Sequence, residues 1–88
     1  MALPQRIVHA RSTALRTLKA AEGMPMSDRT LREMIKQQCQ GEWTELDLGE
    51  VIRDLDLSGY IAGTVREFDG QRIWTLTDKG QITAAQLH

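Results

Sequence analysis

Few side chains in this sequence are of the types that carry out catalysis or bind a metal ion. One cysteine, Cys39, and two histidines, His9 and His88, are too few for a structural zinc site of the usual Cys/His type. Asp54 and Asp56 lie two residues apart on a predicted helix, so they point roughly 200° apart around its axis and cannot cooperate as a carboxylate pair. The sequence has no glycine-rich phosphate loop and no nucleophile elbow. We therefore predict a protein that is not an enzyme, with no catalytic residue, no metal and no cofactor.

The basic and acidic side chains are separated along the chain although they nearly cancel overall. Eleven Lys and Arg residues stand against twelve Asp and Glu residues, which gives a formal net charge of −1. Residues 1–40 carry seven basic and three acidic side chains, whereas residues 41–88 carry four basic and nine acidic ones. The balanced total excludes a disordered polyelectrolyte and a strongly basic nucleic-acid coat protein. The separation still allows each half to meet a partner of opposite charge.

Length and composition indicate one small globular domain, residues 1–88. The chain is 41% apolar and 26% charged, and it is shorter than the roughly 100–200 residues usual for a domain. Its single cysteine cannot form an intrachain disulfide. No apolar run reaches the roughly 18–20 residues of a membrane span, and the N-terminus lacks a secretory signal pattern. We predict a cytoplasmic protein with no membrane partner.

The first helix is predicted from apolar residues that recur at spacings of three and four. It begins after Pro4, which suits a first helical turn, and ends near Gly23. Arg11 lies within the apolar arc of this helix. It needs a partner if it is buried, because a buried unpaired charge is costly.

A second helix is predicted between an N-cap at Ser27 and a break at Gly41. Asp28 favours the helix dipole in the first turn and is spaced to form an i,i+4 ion pair with Arg32. Cys39 lies at the end of this helix near its apolar side. We expect it to be a buried, unreactive thiol.

The third helix carries the clearest local signal, and we place it at residues 45–57. Thr44 is the predicted N-cap, with Asp47 at the capping-box position, and Ser58-Gly59 ends the helix. Its apolar spacing predicts a buried face of Leu48, Val51, Ile52 and Leu55. Its outward face is then Leu46, Glu50, Arg53 and Leu57.

A β-hairpin is predicted around Asp69-Gly70, because two β-rich runs flank this dipeptide. A two-residue turn would pair Phe68 with Gln71, Glu67 with Arg72 as a cross-strand ion pair, and Val65 with Trp74. Alternation would then put Val65, Trp74 and Leu76 on one face, toward the core.

The remaining elements complete a mainly α fold with a small β-hairpin. A short extra strand around Met24 to Met26 would complete the sheet, and Thr77 caps a last helix from Asp78 to about Leu87. The predicted order is therefore three helices, two strands and a fourth helix, which is an α+β arrangement.

Two motifs and this order of elements resemble the winged helix-turn-helix superfamily. The stretch VIRDLDLSGYI at 51–61 is similar to the end of the third helix in many bacterial winged-helix regulators, where a leucine-bearing helix runs into Gly-aromatic-aliphatic. The stretch WTLTDKG at 74–80 is similar to the motif that closes the wing in repressors of the multiple-antibiotic-resistance and phenolic-acid-response types. The short length and alanine-rich C-terminus also resemble small winged-helix accessory proteins of Mu-like prophages.

The resemblance implies a non-catalytic DNA-binding module of the transcription-regulator type. In the superfamily the third helix enters the major groove and the wing touches a phosphate or the minor groove. Phosphate contacts would come from the second helix and the wing, and Arg53 is the one candidate for reading a base. The candidate DNA-binding residues are Arg29, Arg32, Arg53, Arg66 and Arg72.

The charge of the third helix opposes this function and leaves an alternative open. Five acids would face or flank the phosphates: Glu45, Asp47, Glu50, Asp54 and Asp56. They oppose the electrostatic attraction that supplies most of the affinity for double-stranded DNA. The alternative is a protein–protein interaction or assembly module that uses the acidic, leucine-bearing face, with Leu46, Glu50, Asp54 and Leu57 in contact. Its partner would be a basic protein or a second copy, through the basic first-helix face of His9, Arg16 and Lys19.

Overall fold

The computed structural model describes residues 5–22 and 24–87, and within them the chain forms four helices and three strands. The helices are α1 (Gln5–Ala20), α2 (Asp28–Gln38), α3 (Glu45–Leu57) and α4 (Asp78–Ala85). The strands are β1 (Met26–Ser27), β2 (Ile61–Val65) and β3 (Arg72–Leu76). The predicted order of elements is confirmed, and β1 lies at the end of the stretch where the extra strand was expected. The predicted start of the first helix at Pro4 and its end at Gly23 fall on residues outside the described ranges.

Three of the helices begin at the predicted caps. The Ser27 hydroxyl accepts a hydrogen bond from the Thr30 backbone N–H at 3.2 Å. Thr44 and Asp47 form a full capping box, in which each side chain accepts from the other's backbone N–H, at 3.1 and 3.2 Å. The Thr77 hydroxyl caps α4 by accepting a hydrogen bond from the Gly80 backbone N–H at 3.0 Å. Each cap stabilises its helix by about 1 kcal/mol. Helix α3 begins and ends at the predicted residues.

The core lies between α1, α2, α3 and the inner face of the sheet. Alanines on α1 let the other helices approach closely, and leucine and isoleucine side chains fill the space between them. The buried apolar residues are Ala10, Ala14, Leu15, Leu18, Leu31, Ile35, Cys39, Leu48, Val51, Ile52, Leu55, Ile61, Trp74 and Ala84. The predicted inner face of the third helix is confirmed in full, and Cys39 is a buried free thiol as expected.

The hairpin register differs from the prediction by two residues. The sheet is antiparallel with strand order β1-β3-β2, and Val65 lies opposite Arg72, Gly63 opposite Trp74 and Ile61 opposite Leu76. The predicted pairs of Phe68 with Gln71, Glu67 with Arg72 and Val65 with Trp74 are therefore wrong. A shift of two residues keeps the pleat in phase, so Val65, Trp74 and Leu76 still share a face as predicted. The prediction that this face turns Val65 toward the core is wrong, because Val65 is 55% exposed.

Contacts in the hairpin loop and on the sheet set the observed register. Asp69 accepts a hydrogen bond from the Gln71 backbone N–H at 3.0 Å, and the Gly70 N–H donates to the Arg66 carbonyl at 2.8 Å, so the loop spans four residues rather than two. On the sheet, the Trp74 ring lies against Gly63, where an added Cβ would be 2.6 Å from the ring. Only a residue without a side chain fits opposite this indole.

No helix within the described residues is both long enough and apolar enough to cross a lipid bilayer. Among the same residues, no group of three or more His, Cys, Asp or Glu side chains is arranged to hold a metal ion.

Candidate nucleic-acid interface

The outward face of α3 is the face that its periodicity predicts. Leu46 and Leu57 are each 74% exposed, and Glu50 and Arg53 between them are also exposed. Leu57 lies eleven positions after Leu46, which at 1.5 Å per residue places the two leucines about 16 Å apart along one side of the helix. This face therefore has apolar ends with one acidic and one basic residue between them.

A groove of about 290 Å³ lies between α3 and the sheet, beside the first turn of α2. Its lining residues are Asp28, Arg32, Gly49, Ile52, Arg53, Asp56, Arg72 and Trp74. Three of the five predicted DNA-binding arginines thus meet in one place, although they come from three different elements. With three arginines and two aspartates, the lining carries a formal excess of one positive charge.

Arg72 lies at the groove against the indole of Trp74, with its guanidinium carbon 5.5 Å from the ring centroid. The ion pair predicted between Glu67 and Arg72 is wrong, because the register places Val65 opposite Arg72. Trp74 is 4% exposed, so its prediction as a core residue is confirmed. Its indole N–H donates to the Asp28 carboxylate at 3.0 Å, which ties β3 to the first turn of α2.

Arg32 is already engaged by two carboxylates. Its Nε atom lies 2.7 Å from Asp28 Oδ2, which confirms the predicted i,i+4 pair. Its Nη1 atom lies 3.0 Å from Glu45 Oε2 and 3.2 Å from the Glu45 carbonyl oxygen. Arg32 therefore joins the first turns of α2 and α3.

Three of the five acids that α3 carries are partnered by arginines of other helices. Glu45 pairs with Arg32, Asp47 Oδ2 lies 3.5 Å from Arg6 Nη2, and Asp54 Oδ2 lies 2.8 Å from Arg11 Nε. Asp54 is thus the partner that Arg11 was predicted to need. The two side chains form an ion pair, but their atoms do not have the geometry of a hydrogen bond.

The acidity that faces outward is consequently smaller than the sequence suggests. Within residues 5–22 and 24–87, Glu50 and Asp56 are the acids of α3 that form no ion pair. Asp54 is directed to α1 by its pair with Arg11, so it lies at one edge of the protein-contact face that was predicted to contain it.

The remaining predicted arginines lie away from the groove. Arg29 is exposed in the first turn of α2. Arg66 lies at the base of the hairpin loop and donates to both carboxylate oxygens of Asp69, with Nε 3.0 Å from Oδ1. The hydrogen bonds from Arg66 and from the Gln71 N–H hold the pKa of Asp69 below its usual value, and Asp69 raises the pKa of Arg66.

Sequence reasoning missed three features of this region. The Trp74–Asp28 and Arg32–Glu45 contacts each join residues on different elements, so no local sequence pattern predicts them. The i,i+4 spacing of Asp28 and Arg32 predicted only the pair within α2. Phe68, at the tip of the hairpin, is 94% exposed. Its position within the loop follows from the four-residue turn, which the Asp69-Gly70 pattern did not predict.

Comparison with known proteins identifies the fold. No protein-family model and no curated protein sequence matches the chain. Among solved structures, it is similar to the PcaV transcriptional regulator from Streptomyces coelicolor, with a TM-score of 0.73 and 23% identity over 89% of this chain and 52% of that one. The same regulator in complex with its natural ligand gives a TM-score of 0.70, with 23% identity over 88% and 50%. The fold is a winged helix-turn-helix.

A third structure with this winged-helix fold is a point mutant of MepR from a multidrug-resistant S. aureus clinical isolate. Its TM-score is 0.67, with 18% identity over 84% of this chain and 50% of that one. The chain spans about half the length of the solved proteins it matches. In the winged helix described above, α2 and α3 are the helix-turn-helix pair and β2–β3 is the wing. The groove therefore lies between α3, the second helix of that pair, and the wing.

Proposed function

We propose that this chain is a non-catalytic winged-helix domain, residues 1–88, that binds double-stranded DNA as a transcription regulator does. The observation that carries the proposal is the meeting of Arg32, Arg53 and Arg72 in one groove between α3, which is then the recognition helix, and the wing. Phosphate contacts in this position would fix the orientation of a duplex against α3. The likeness to a transcriptional regulator supports the proposal through the fold they share.

The arginines differ in what each offers to DNA. Arg53 and Arg72 form no ion pair within the described residues, and both line the groove. Arg53 also lies on the outward face of α3, where a guanidinium can bind the O6 and N7 atoms of guanine. Arg29 adds an exposed charge from α2, whereas Arg66 must leave Asp69 before it can reach a phosphate. We therefore assign the first contacts to Arg29, Arg53 and Arg72.

The partnered acids remove much of the electrostatic objection. An acid that is paired with an arginine adds little net charge to the surface that a phosphate meets. Glu45, Asp47 and Asp54 are paired, so Glu50 and Asp56 are the acids of α3 that would repel a duplex. Binding to random-sequence DNA is then expected to be weak, salt-sensitive and measurable.

Fluorescence anisotropy with a labelled random-sequence duplex tests the proposal at about 50 mM salt, where phosphate contacts are strongest. We expect binding in the micromolar range that weakens steeply by about 200 mM salt. No binding at protein concentrations of tens of micromolar would exclude the function. A cytoplasmic location and the prophage resemblance stay predictions.

The exposed leucines favour a second candidate, a protein-interaction or assembly module. Leu46 and Leu57 present apolar surface on one side of α3, with Glu50 between them. A basic partner surface would complement this face. The His9, Arg16 and Lys19 side chains of α1 are all exposed, so a second copy of the chain would supply such a surface.

Replacing Leu46 by aspartate tests this candidate. The side chain is 74% exposed, so Leu46→Asp should change the free energy of unfolding by less than about 0.5 kcal/mol. It should nevertheless abolish self-association, because a charge is placed in the apolar part of the contact. Analytical ultracentrifugation measures the association, and Ile82→Asp, at an exposed position of α4, is the matched control. If the chain associates and Leu46→Asp associates as tightly as the control, this face is not the contact.

A further inference from the structure

Arg32 lies in the groove, but carboxylates of its own chain already occupy its guanidinium. Asp28 binds Nε at 2.7 Å and Glu45 binds Nη1 at 3.0 Å. The arginine side chain is 25% exposed. A DNA phosphate that binds the guanidinium through two parallel N–H groups from the groove side needs Nη1 as well as Nη2, and Glu45 occupies Nη1.

Asp28 is fixed by a second contact and by burial, whereas Glu45 is mostly exposed to solvent. Asp28 is half-buried, and its second oxygen accepts the Trp74 indole N–H at 3.0 Å, so it is fixed between α2 and the wing. Glu45 is 76% exposed in the first turn of α3, and Arg32 is its ion-pair partner within the described residues. Exposed ion pairs of this kind contribute little to stability, because water and salt screen them. Glu45 is therefore the carboxylate that a competing anion can displace.

The recognition helix leaves room for that anion. Gly49 lies one turn after Glu45 on the groove side of α3, and an added Cβ there would be 3.7 Å from Arg32 Nη2. Because Gly49 has no side chain, the guanidinium stays accessible from the groove, which both residues line. An arginine fork binds phosphate oxygens through paired N–H groups at least as well as it binds a single carboxylate oxygen.

We propose that Glu45 determines the affinity of the groove for DNA by occupying the place on Arg32 that a backbone phosphate takes. In the free protein Asp28 holds Arg32 in position and Glu45 neutralises it. On binding, the phosphate replaces Glu45 while Asp28 stays bound to Nε, so Arg32 becomes a further phosphate contact beside Arg29, Arg53 and Arg72. This inference rests on the proposed DNA-binding function.

Substituting Glu45 by glutamine separates this role from a purely structural one. If Glu45 competes with phosphate, Glu45→Gln should bind random-sequence duplex about tenfold more tightly at 50 mM salt, since the phosphate no longer has to break the Glu45–Arg32 ion pair. The slope of log K against log salt should change little, because a phosphate contacts Arg32 in both proteins. If the Glu45–Arg32 pair only joins the two helices, the variant should lose thermal stability without this gain.

The matched control is Glu50→Gln, which removes the same charge from the same helix without releasing an arginine. It should raise the affinity by less than Glu45→Gln does. In the background of Arg32→Ala, Glu45→Gln should lose its advantage over Glu50→Gln, which completes a double-mutant cycle. Glu45→Ala provides a second variant at the same position.

The outcomes distinguish the inference from the function on which it rests. If all variants bind DNA and Glu45→Gln matches Glu50→Gln in affinity, Glu45 does not compete with phosphate, while the proposed function stands. If neither the unmodified chain nor any variant binds duplex at tens of micromolar, both proposals are wrong. Circular dichroism of each variant verifies that the helices are intact.

Discussion

Gly80→Ala is expected to destabilise the fold by about 3 kcal/mol or more, the upper end of what overpacking causes. Gly80 is buried in the first turn of α4. An added Cβ would overlap the carbonyl oxygen of Tyr60 and lie 3.0 Å from its carbonyl carbon. That oxygen accepts the Thr77 backbone N–H at 3.1 Å, so moving it would break the contact that starts α4. We expect α4 to leave its position and the midpoint of urea unfolding to fall sharply.

The same substitution at Gly49 serves as the control. Gly49 lies in the interior of α3, where a Cβ would make an ordinary contact with Arg32 at 3.7 Å. Alanine is preferred to glycine inside a helix, so Gly49→Ala should stabilise the chain by about 0.5–1 kcal/mol. Opposite shifts of the two unfolding midpoints are expected. Equal midpoints for Gly80→Ala and the unmodified chain would contradict the packing of α4 against Tyr60.

The second large effect concerns DNA binding. Replacing both Arg53 and Arg72 by glutamine should weaken binding to random-sequence duplex by about 100-fold at 50 mM salt, about tenfold for each charge-assisted contact. The salt slope should fall by nearly two, because two phosphates are no longer neutralised. Glutamine keeps part of the aliphatic stem, so Arg72→Gln preserves packing against Trp74 better than alanine would.

A pair of cations away from the groove controls for overall charge. Arg16 and Lys19 are exposed on α1, and neither lines the groove. Arg16→Gln combined with Lys19→Gln removes two positive charges and should weaken binding only slightly. If both double variants lose the same affinity, DNA is attracted by the net charge of the chain and not by the groove.

The sequence predicts α3 to the residue because its signals are local. Thr44 and Asp47 lie three residues apart and cap each other, and Gly59 takes the positive φ of +82° that ends the helix. The outward position of Leu46 and Leu57 follows in the same way from helical periodicity. Neither conclusion needed any knowledge of the other elements.

The prediction of the wing register failed because specific side-chain contacts decide the register. Asp69-Gly70 is typical of a two-residue turn, but the Asp69 side chain binds Arg66 and the Gln71 N–H and thereby widens the loop. The fit of the Trp74 ring against Gly63 adds a preference that appears only once the strands are paired. Local turn statistics contain neither contact.

The charge of the candidate site was misjudged for the same reason. The sequence places acids along α3 but cannot say that Arg6, Arg11 and Arg32, on α1 and α2, fold against three of them. It did indicate that Arg11 requires a partner. Which acid would meet it depends on how α1 packs against α3, and that packing is set by the core.

The most direct test of the groove uses the two tryptophans of the chain, whose indole N–H groups give separate NMR signals. Trp74 lines the groove and donates to Asp28, whereas Trp43 lies under Arg6, with a ring-to-guanidinium distance of 4.1 Å, in a pocket that shares no lining residue with the groove. When random-sequence duplex is added to ¹⁵N-labelled protein at about 50 mM salt, the Trp74 indole signal should shift and the Trp43 signal should stay in place. A shift of Trp43 alone, or DNA binding that moves neither signal, would contradict the account.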